Sequence, residues 1–529
     1  MRSSAASDVY KRQLLLSVCL PMFLSSCLGD LDTVPLTDDK LLPEKAWEDP
    51  NAYEQFLAKI YAGLTLSGNE GPFGLPDISA SDQGEATFLR SYWNLQQLGT
   101  DEVVCAEDNE TMRGLQFCQW NSNNNFVALN YTRIYMNVAY ANEYLRETTD
   151  EKLGNRGVGD ELRAKIEGFR AEARVLRAMS YYFLMDLYAN VPFIDENVPV
   201  GSRKLDQKDR VFFFSWIESE LKNVEGKLPP ADKDHYGMVN DPTVWMLLAK
   251  MYLNAEVYIG EKRYDDCLIY LKKLLGAGFT IDPVYKNMFC ADNEKSPEII
   301  FSLVYDGRRA TTFGGTTYLI AAACKSDMNP LTTLGFSQAW SNIRAKETLS
   351  TLFEESDKRA MFWKQDRTLE SSVWYDFTKG WSVIKYSNLK SDGTPGSNSA
   401  HADTDFPFFR LADAYLMYAE AVLRGGQGGT KEQALLYLKE LRERAGISPV
   451  SSVELTLDFI LEERSRELYW EGHRRIDLIR FGKFTKNYKW PWKNGVFSGV
   501  ANIDSKYNIY PLPATELTSN PDLKQNTGY

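Results

Sequence analysis

The chain has 529 residues, of which 44% are hydrophobic, 13% aromatic and 25% charged. That is ample apolar material for a large core, and it excludes a disordered or collagen-like chain. A formal net charge of −12 argues against a nucleic-acid partner, which leans on Lys and Arg to neutralise phosphates, and against electrostatic adhesion to anionic lipid. The three histidines, His235, His401 and His473, lie far apart in sequence and suggest no His-centred metal or catalytic site.

A polar, Ser/Ala-rich stretch, Met1 to Tyr10, comes first. The apolar run Leu14 to Leu24 follows Lys11 and Arg12 and precedes Ser25 and Ser26. It is shorter than the ~20 residues a spanning helix needs, and its order of basic, apolar and small residues predicts an export signal over 1–26. Leu24-Ser25-Ser26-Cys27 resembles a bacterial lipobox. Acylation of Cys27 would then hold the mature chain to a membrane through its lipid alone, at ~0.8 kcal/mol per buried methylene; an ordinary cleaved signal is the alternative. Residues 27–52, acidic and carrying Pro35, Pro43 and Pro50, read as a tether. Cys105, Cys118, Cys267, Cys290 and Cys324 remain, with no C-x-x-C among them, which argues against a zinc ribbon or a thioredoxin-like site. Cys105 and Cys118 either pair, as an oxidising compartment permits, or stay buried as free thiols.

Apolar stripes at helical spacing then come in pairs. Helices are predicted over 131–147, 161–188, 211–225, 242–259 and 263–276, and again over 410–424 and 431–444. Ala412, Ala419 and Ala434 provide small contact residues, and aromatics such as Tyr415 flank them. Trp216 and Trp245 sit on such stripes and read as core, and Trp120 as structural. The pairs look like tetratricopeptide-type repeats with a period broken by insertions. Residues 281–404 differ: they are rich in Gly, Ser, Thr, Asn and aromatics, with one strand-like run, Glu298 to Val304. The fold class read here is mostly α. A helical-repeat scaffold over 53–280 and 405–481 carries an inserted loop-rich irregular subdomain over 281–404, and a tail over 482–529 packs on that insert.

Several segments resemble the SusD/RagB family. Glu172-Ala173-Arg174-Val175-Leu176-Arg177-Ala178, with Tyr181-Tyr182-Phe183 and Val191-Pro192, is similar to its first repeat. Phe409-Arg410-Leu411-Ala412-Asp413-Ala414-Tyr415, followed by Leu441-Arg442-Glu443-Arg444-Ala445-Gly446, is similar to its last. A long helix from 457 to 480 and the ending Tyr510-Pro511-Leu512-Pro513 through Asn526 and Tyr529 match as well. The resemblance implies a lipid-anchored, surface-exposed protein of the outer membrane. Such a protein binds an oligosaccharide, or in some relatives a peptide, serves a partner TonB-dependent transporter, and does no chemistry. It also implies that the ligand surface comes from the loop-rich part and the first long N-terminal loop. Calcium is bound by some relatives, but no ligand spacing here demands it, and no cofactor motif is present.

Glu463, Glu467 and Glu471 recur every fourth residue on the long helix, a spacing that invites an acid/base reading. Interleaved with Arg464, Arg466, Arg474 and Arg475, they fit a salt-bridged face better, as in Glu462–Arg466 and Glu471–Arg475. Binding by aromatics has better support, because a flat ring covers the C–H face of a sugar while amides and charges take its hydroxyls. Two segments supply both kinds of group. The first is 101–116, with Asp108, Asn109 and Arg113, preceded by Trp93. The second is 313–344, with Tyr318, Trp340, Asn342 and Arg344. A glycoside hydrolase on a helical scaffold and a pure tetratricopeptide adaptor are the rival readings.

Overall fold

The computed structural model describes residues 43–202 and 205–529. Cys27, the export signal and most of the tether lie outside them. Two units are distinguished, Met1–Tyr53 and Glu54–Tyr529. In the described part of the first, Pro43–Ala46 forms one helical turn, and the Tyr53 hydroxyl donates to the Trp47 carbonyl at 3.1 Å.

Helices make the scaffold. The longer ones and the short α3 are, in chain order, α1 (Ala52–Thr65), α2 (Phe88–Gln97), α3 (Glu110–Gln116), α4 (Asn125–Glu147), α5 (Asp160–Tyr188), α6 (Arg210–Val224), α7 (Asp241–Leu253) and α8 (Tyr264–Leu275). Polar side chains start many of them. Asn109, Asn124, Asp209 and Asn240 each accept a backbone N–H of the first turn, contacts worth ~1 kcal/mol apiece. The helices pack as neighbours, α4 on α5, α5 on α6 and α7 on α8. Apolar residues such as Leu176, Phe183 and Leu248 are buried between them. Trp216 and Trp245, expected in the core, stand at its margin: Trp216 lies under the Arg177 guanidinium, and the Trp245 indole N–H donates to Glu225.

After α8 the chain enters strand β2 (Ile299–Leu303), which pairs antiparallel with β4 (Phe406–Arg410). This ladder is the neck of the loop-rich insert, since the chain leaves after Leu303 and returns at Phe406. Within the insert are the short helix α9 (Thr316–Ala322) and strand β3 (Ile343–Ala345), which pairs with β1 (Val103–Cys105). The chain then resumes helices α10 (Leu411–Leu423), α11 (Lys431–Ala445) and α12 (Leu457–Leu468). Helix α10 packs on α8, α11 and α12, so the two halves of the scaffold meet across the neck. The architecture is the mostly α, tetratricopeptide-like scaffold with a loop-rich insert.

The predicted helix over 457–480 breaks. It stops at Leu468 and resumes as α13 (Arg474–Arg480), because Trp470 and Gly472 take positive φ values of 67° and 78°. The salt-bridged carboxylates lie in the interior. Glu463, Glu467 and Glu471 are buried, and each is closed by cations. Glu467 meets Arg359, Arg410 and Arg444; Glu463 meets Arg359, Arg442 and Arg466; Glu471 meets Arg410 and Lys385. The Glu462–Arg466 pair forms at 3.4 Å. Glu471 turns to Arg410 and Lys385 instead of Arg475, since the break ends helical spacing before it. A second buried chain of ion pairs runs Lys250–Asp413–Arg464–Asp477–Arg480–Glu420 and ties α7, α10, α12 and α13 together. Cys105, Cys118, Cys267, Cys290 and Cys324 are all free and buried, so Cys105 and Cys118 do not pair.

Candidate functional site

The two segments singled out in the sequence meet in the β1–β3 ladder. Val103 pairs with Ala345, Val104 with Arg344 and Cys105 with Ile343. The contact continues past the strands: the Ala106 N–H donates to the Asn342 carbonyl at 2.6 Å, and the Asn342 side-chain amide donates to Glu107 at 3.1 Å. The Asn109 amide also donates to Glu107, at 2.7 Å. Burial raises the Glu107 carboxyl above its ordinary range, Arg90 opposing. Asn109 also caps α3 by accepting from the Met112 N–H at 2.8 Å, and the exposed Asp108 is ion-paired with Arg113.

Trp340 stands half-buried at the rim of this ladder. Its backbone is fixed by the Trp340 N–H donating to the Ala321 carbonyl at 2.8 Å, and its indole N–H donates to Gln338 at 3.0 Å. The ring touches Phe313 and Tyr318, with centroids 6.4 and 6.3 Å away. Phe313 in turn meets Phe73 edge-on at 5.2 Å and the His401 ring at 4.8 Å.

Phe73 is 81% exposed and was not anticipated in the sequence. It lies at the tip of the loop joining α1 and α2. Arg133 of α4 nails down the base of that loop, donating to the carbonyls of Ser67 and Ala86 and pairing with Asp77. Gly84 and Gly314 allow the loop to pack backbone to backbone on the insert: a Cβ on Gly314 would lie 2.1 Å from the Gly84 carbonyl oxygen. A signal was present. Gly71-Pro72-Phe73-Gly74-Leu75-Pro76 puts two large apolar residues in a loop that cannot bury them.

Three expected contact residues do not reach the surface. Trp93, Tyr318 and Arg344 are fully buried. The Trp93 indole donates to the Trp470 carbonyl, and the Tyr318 hydroxyl donates to Asn94 under the Arg90 guanidinium. Arg344 donates to the carbonyls of Lys379 and Trp374. Their expected role as ligand contacts is corrected to support: Tyr318 backs the Trp340 ring, and Arg344 pins the segment beside the ladder. Trp340, Asn342, Asp108, Asn109 and Arg113 remain at or near the surface. The site is therefore an open rim of rings and amides. A concavity of about 460 Å³ lies elsewhere, between residues 231–240 and 294–302, and holds none of these groups. Among the described residues no group of His, Cys, Asp and Glu is arranged to hold a metal ion.

Known proteins agree with this architecture. The model of the SusD family matches residues 338–529. The starch-binding protein SusD of Bacteroides thetaiotaomicron is 30% identical, over 96% of this chain and 96% of that protein. The chain belongs to the SusD family. Among solved structures, a SusD superfamily protein from Parabacteroides distasonis aligns with a TM-score of 0.71 at 18% identity, covering 93% of this chain and 100% of that one. Surface glycan-binding protein A from B. thetaiotaomicron, in complex with laminarihexaose, aligns with a TM-score of 0.67 at 20% identity, covering 90% and 98%. At these identities the structural matches speak for the SusD-like fold. Among the described residues, no helix of this SusD-family chain is long and apolar enough to cross a membrane.

Proposed function

We propose that this SusD-family protein captures a neutral oligosaccharide at the outer-membrane surface and passes it, unchanged, to a TonB-dependent transporter. The observation that carries the reading is the half-buried Trp340 ring, backed by Tyr318 and continued by Phe313 and the exposed Phe73. Such rings cover the apolar face of a sugar, and Gln338, Asn342 and Asn109 offer amides for its hydroxyls. The starch-binding and glycan-binding relatives support the ligand class. Lipidation at Cys27 would supply the anchor. A hydrolytic role finds no support on the long-helix carboxylates. Burial alone would raise Glu463, yet Arg359, Arg466 and Arg442 hold it at about 2, and Glu467 is likewise held well below the carboxylate range. Held ionised and buried, neither is placed to act as a general acid.

Native affinity electrophoresis of the full chain through gels cast with starch, laminarin, xylan or mannan tests the reading. At least one polysaccharide should retard the protein, and Trp340→Ala should migrate freely in it. Retardation undiminished in Trp340→Ala, capture of peptide pools instead of glycan, or release of reducing sugar would overturn it.

A further inference from the structure

A second aromatic surface lies at the other end of α3. Phe117, which caps that helix, contacts Trp374 edge-on at 5.7 Å and Trp492 at 6.0 Å. Trp374 contacts Tyr375 at 5.3 Å, and Trp492 contacts Phe497 at 5.5 Å. The outer members of this ledge face solvent: Tyr375 is 63% and Phe497 38% exposed. The ledge is built with care. Trp492 sits at φ 68°, a conformation costly for a bulky side chain. It is held there by its N–H donating to the Val496 carbonyl and its indole donating to the Ser371 carbonyl at 2.7 Å. Asn494, also at positive φ, donates its N–H to the Phe117 carbonyl, while Gln119 donates to the Asn494 carbonyl and side-chain oxygens.

A shallow groove of about 120 Å³ runs along α3. It is lined by Glu110, Thr111 and Asn124, whose amide donates to the Thr111 carbonyl at 2.9 Å, and by Gln119, Asn121 and Asn123. Glu110 follows Asn109, which the Glu107–Asn342 contact joins to the rim. Gln119 reaches the ledge through Asn494. Seven helical residues at 1.5 Å rise separate the ends of α3 by about 10 Å. The groove carries one charge and five neutral hydroxyl or amide side chains, three of them exposed amides. That chemistry complements a neutral, hydroxyl-rich chain better than an acidic or basic peptide.

We propose that the groove and the ledge of Trp374, Tyr375, Trp492 and Phe497 form a second binding platform for a neutral polysaccharide, continuous with the Trp340 rim. The proposal rests on the glycan-binding reading and extends it from a short ligand to a long one. Two stacking platforms on one chain multiply affinity only for a ligand that spans both.

The test uses full-chain protein, the polysaccharide among starch, laminarin, xylan and mannan that retards it, and the trisaccharide of the same linkage. Tyr375→Ala and Phe497→Ala, both at exposed positions, should weaken polysaccharide binding at least fivefold in titration calorimetry and leave trisaccharide binding unchanged. Trp340→Ala should weaken both ligands. Polysaccharide affinity equal to wild type in Tyr375→Ala and Phe497→Ala overturns the second platform while leaving the first intact. An effect of these two variants without one from Trp340→Ala keeps the platform and displaces the rim as the primary site. If the two variants instead lose only co-purification with an outer-membrane barrel, the ledge is a protein interface and the proposal falls. If no polysaccharide binds the wild type, both readings fall together.

Discussion

Removal of the Glu467 carboxylate tests the buried ion network that joins the loop-rich insert to the scaffold. Its oxygens accept from Arg359 of the insert at 3.1 Å, from Arg410 at the neck strand at 2.7 Å, and from Arg444 of α11. All four groups are excluded from water. In Glu467→Ala none of the three guanidiniums is orphaned outright. Arg359 keeps Asp357 and Glu463, Arg410 keeps Glu298 and Glu471, and Arg444 keeps Glu298. The loss therefore resembles one broken buried pair, ~3–5 kcal/mol, and not three. That is a large share of the ~5–15 kcal/mol that typically holds a protein folded. The control is Glu462→Ala on the same helix α12: its side chain is exposed and its 3.4 Å pair with Arg466 should cost at most ~0.5 kcal/mol. Equilibrium urea denaturation, followed by tryptophan fluorescence and far-ultraviolet circular dichroism, measures both. A Glu467→Ala midpoint matching that of Glu462→Ala would refute the claim that this carboxylate holds the insert in place.

Trp93→Ala removes a fully buried indole and its bond to the Trp470 carbonyl, and should lower stability by ~3–5 kcal/mol while the protein that remains folded binds glycan normally; a selective loss of binding would return Trp93 to the ligand surface. Trp340→Ala should cost at least tenfold in glycan affinity by calorimetry and only about 1 kcal/mol in stability, because its ring is half out of the core. Burial pushes the Asp405 carboxyl up to about 7, against the bonds it accepts from the Tyr305 N–H and the Tyr236 hydroxyl. The folded protein thus keeps a proton that the unfolded chain sheds near pH ~4, so this group's stabilisation is full below that pH and is lost as pH rises through 7. Wild type should therefore lose stability relative to Asp405→Asn between pH 4 and 7, and parallel urea midpoints across that window would contradict the assignment. Burial raises the Cys105 thiol to about 12 and the Cys118 thiol to about 11, so neither should react with a thiol reagent at pH 8 until urea is added; labelling of the native protein would disprove their burial.

Much of the scaffold was legible because burial imposes a periodic stripe. Helices α5, α6, α10 and α11 lie where their apolar residues recur at helical spacing, with Asp209 and Thr430 capping two of them. The break after Leu468 was hidden because Glu463, Glu467 and Glu471 continue a helical charge pattern across it, while the interruption depends on the backbone of Trp470 and Gly472. The site was legible only in part. Composition located the two segments, but their pairing through β1 and β3 joins residues far apart in sequence, which no local pattern encodes. Trp93 and Tyr318 look like surface aromatics beside polar neighbours, yet tertiary packing covers them. Phe73 shows the converse: its Gly/Pro loop denies it a core, and that was readable from the residues alone.

Hydroxyl-radical footprinting of the full chain, with and without the polysaccharide it binds, reports most directly on whether the ring surface is where the glycan sits. Trp340, Phe313 and Phe73 should become protected on ligand addition, while Trp216 and Trp245, at the margin of the helical core, should not change. Unaltered oxidation at Trp340 and Phe73 under saturating polysaccharide, with protection confined to the helical scaffold, would contradict the account.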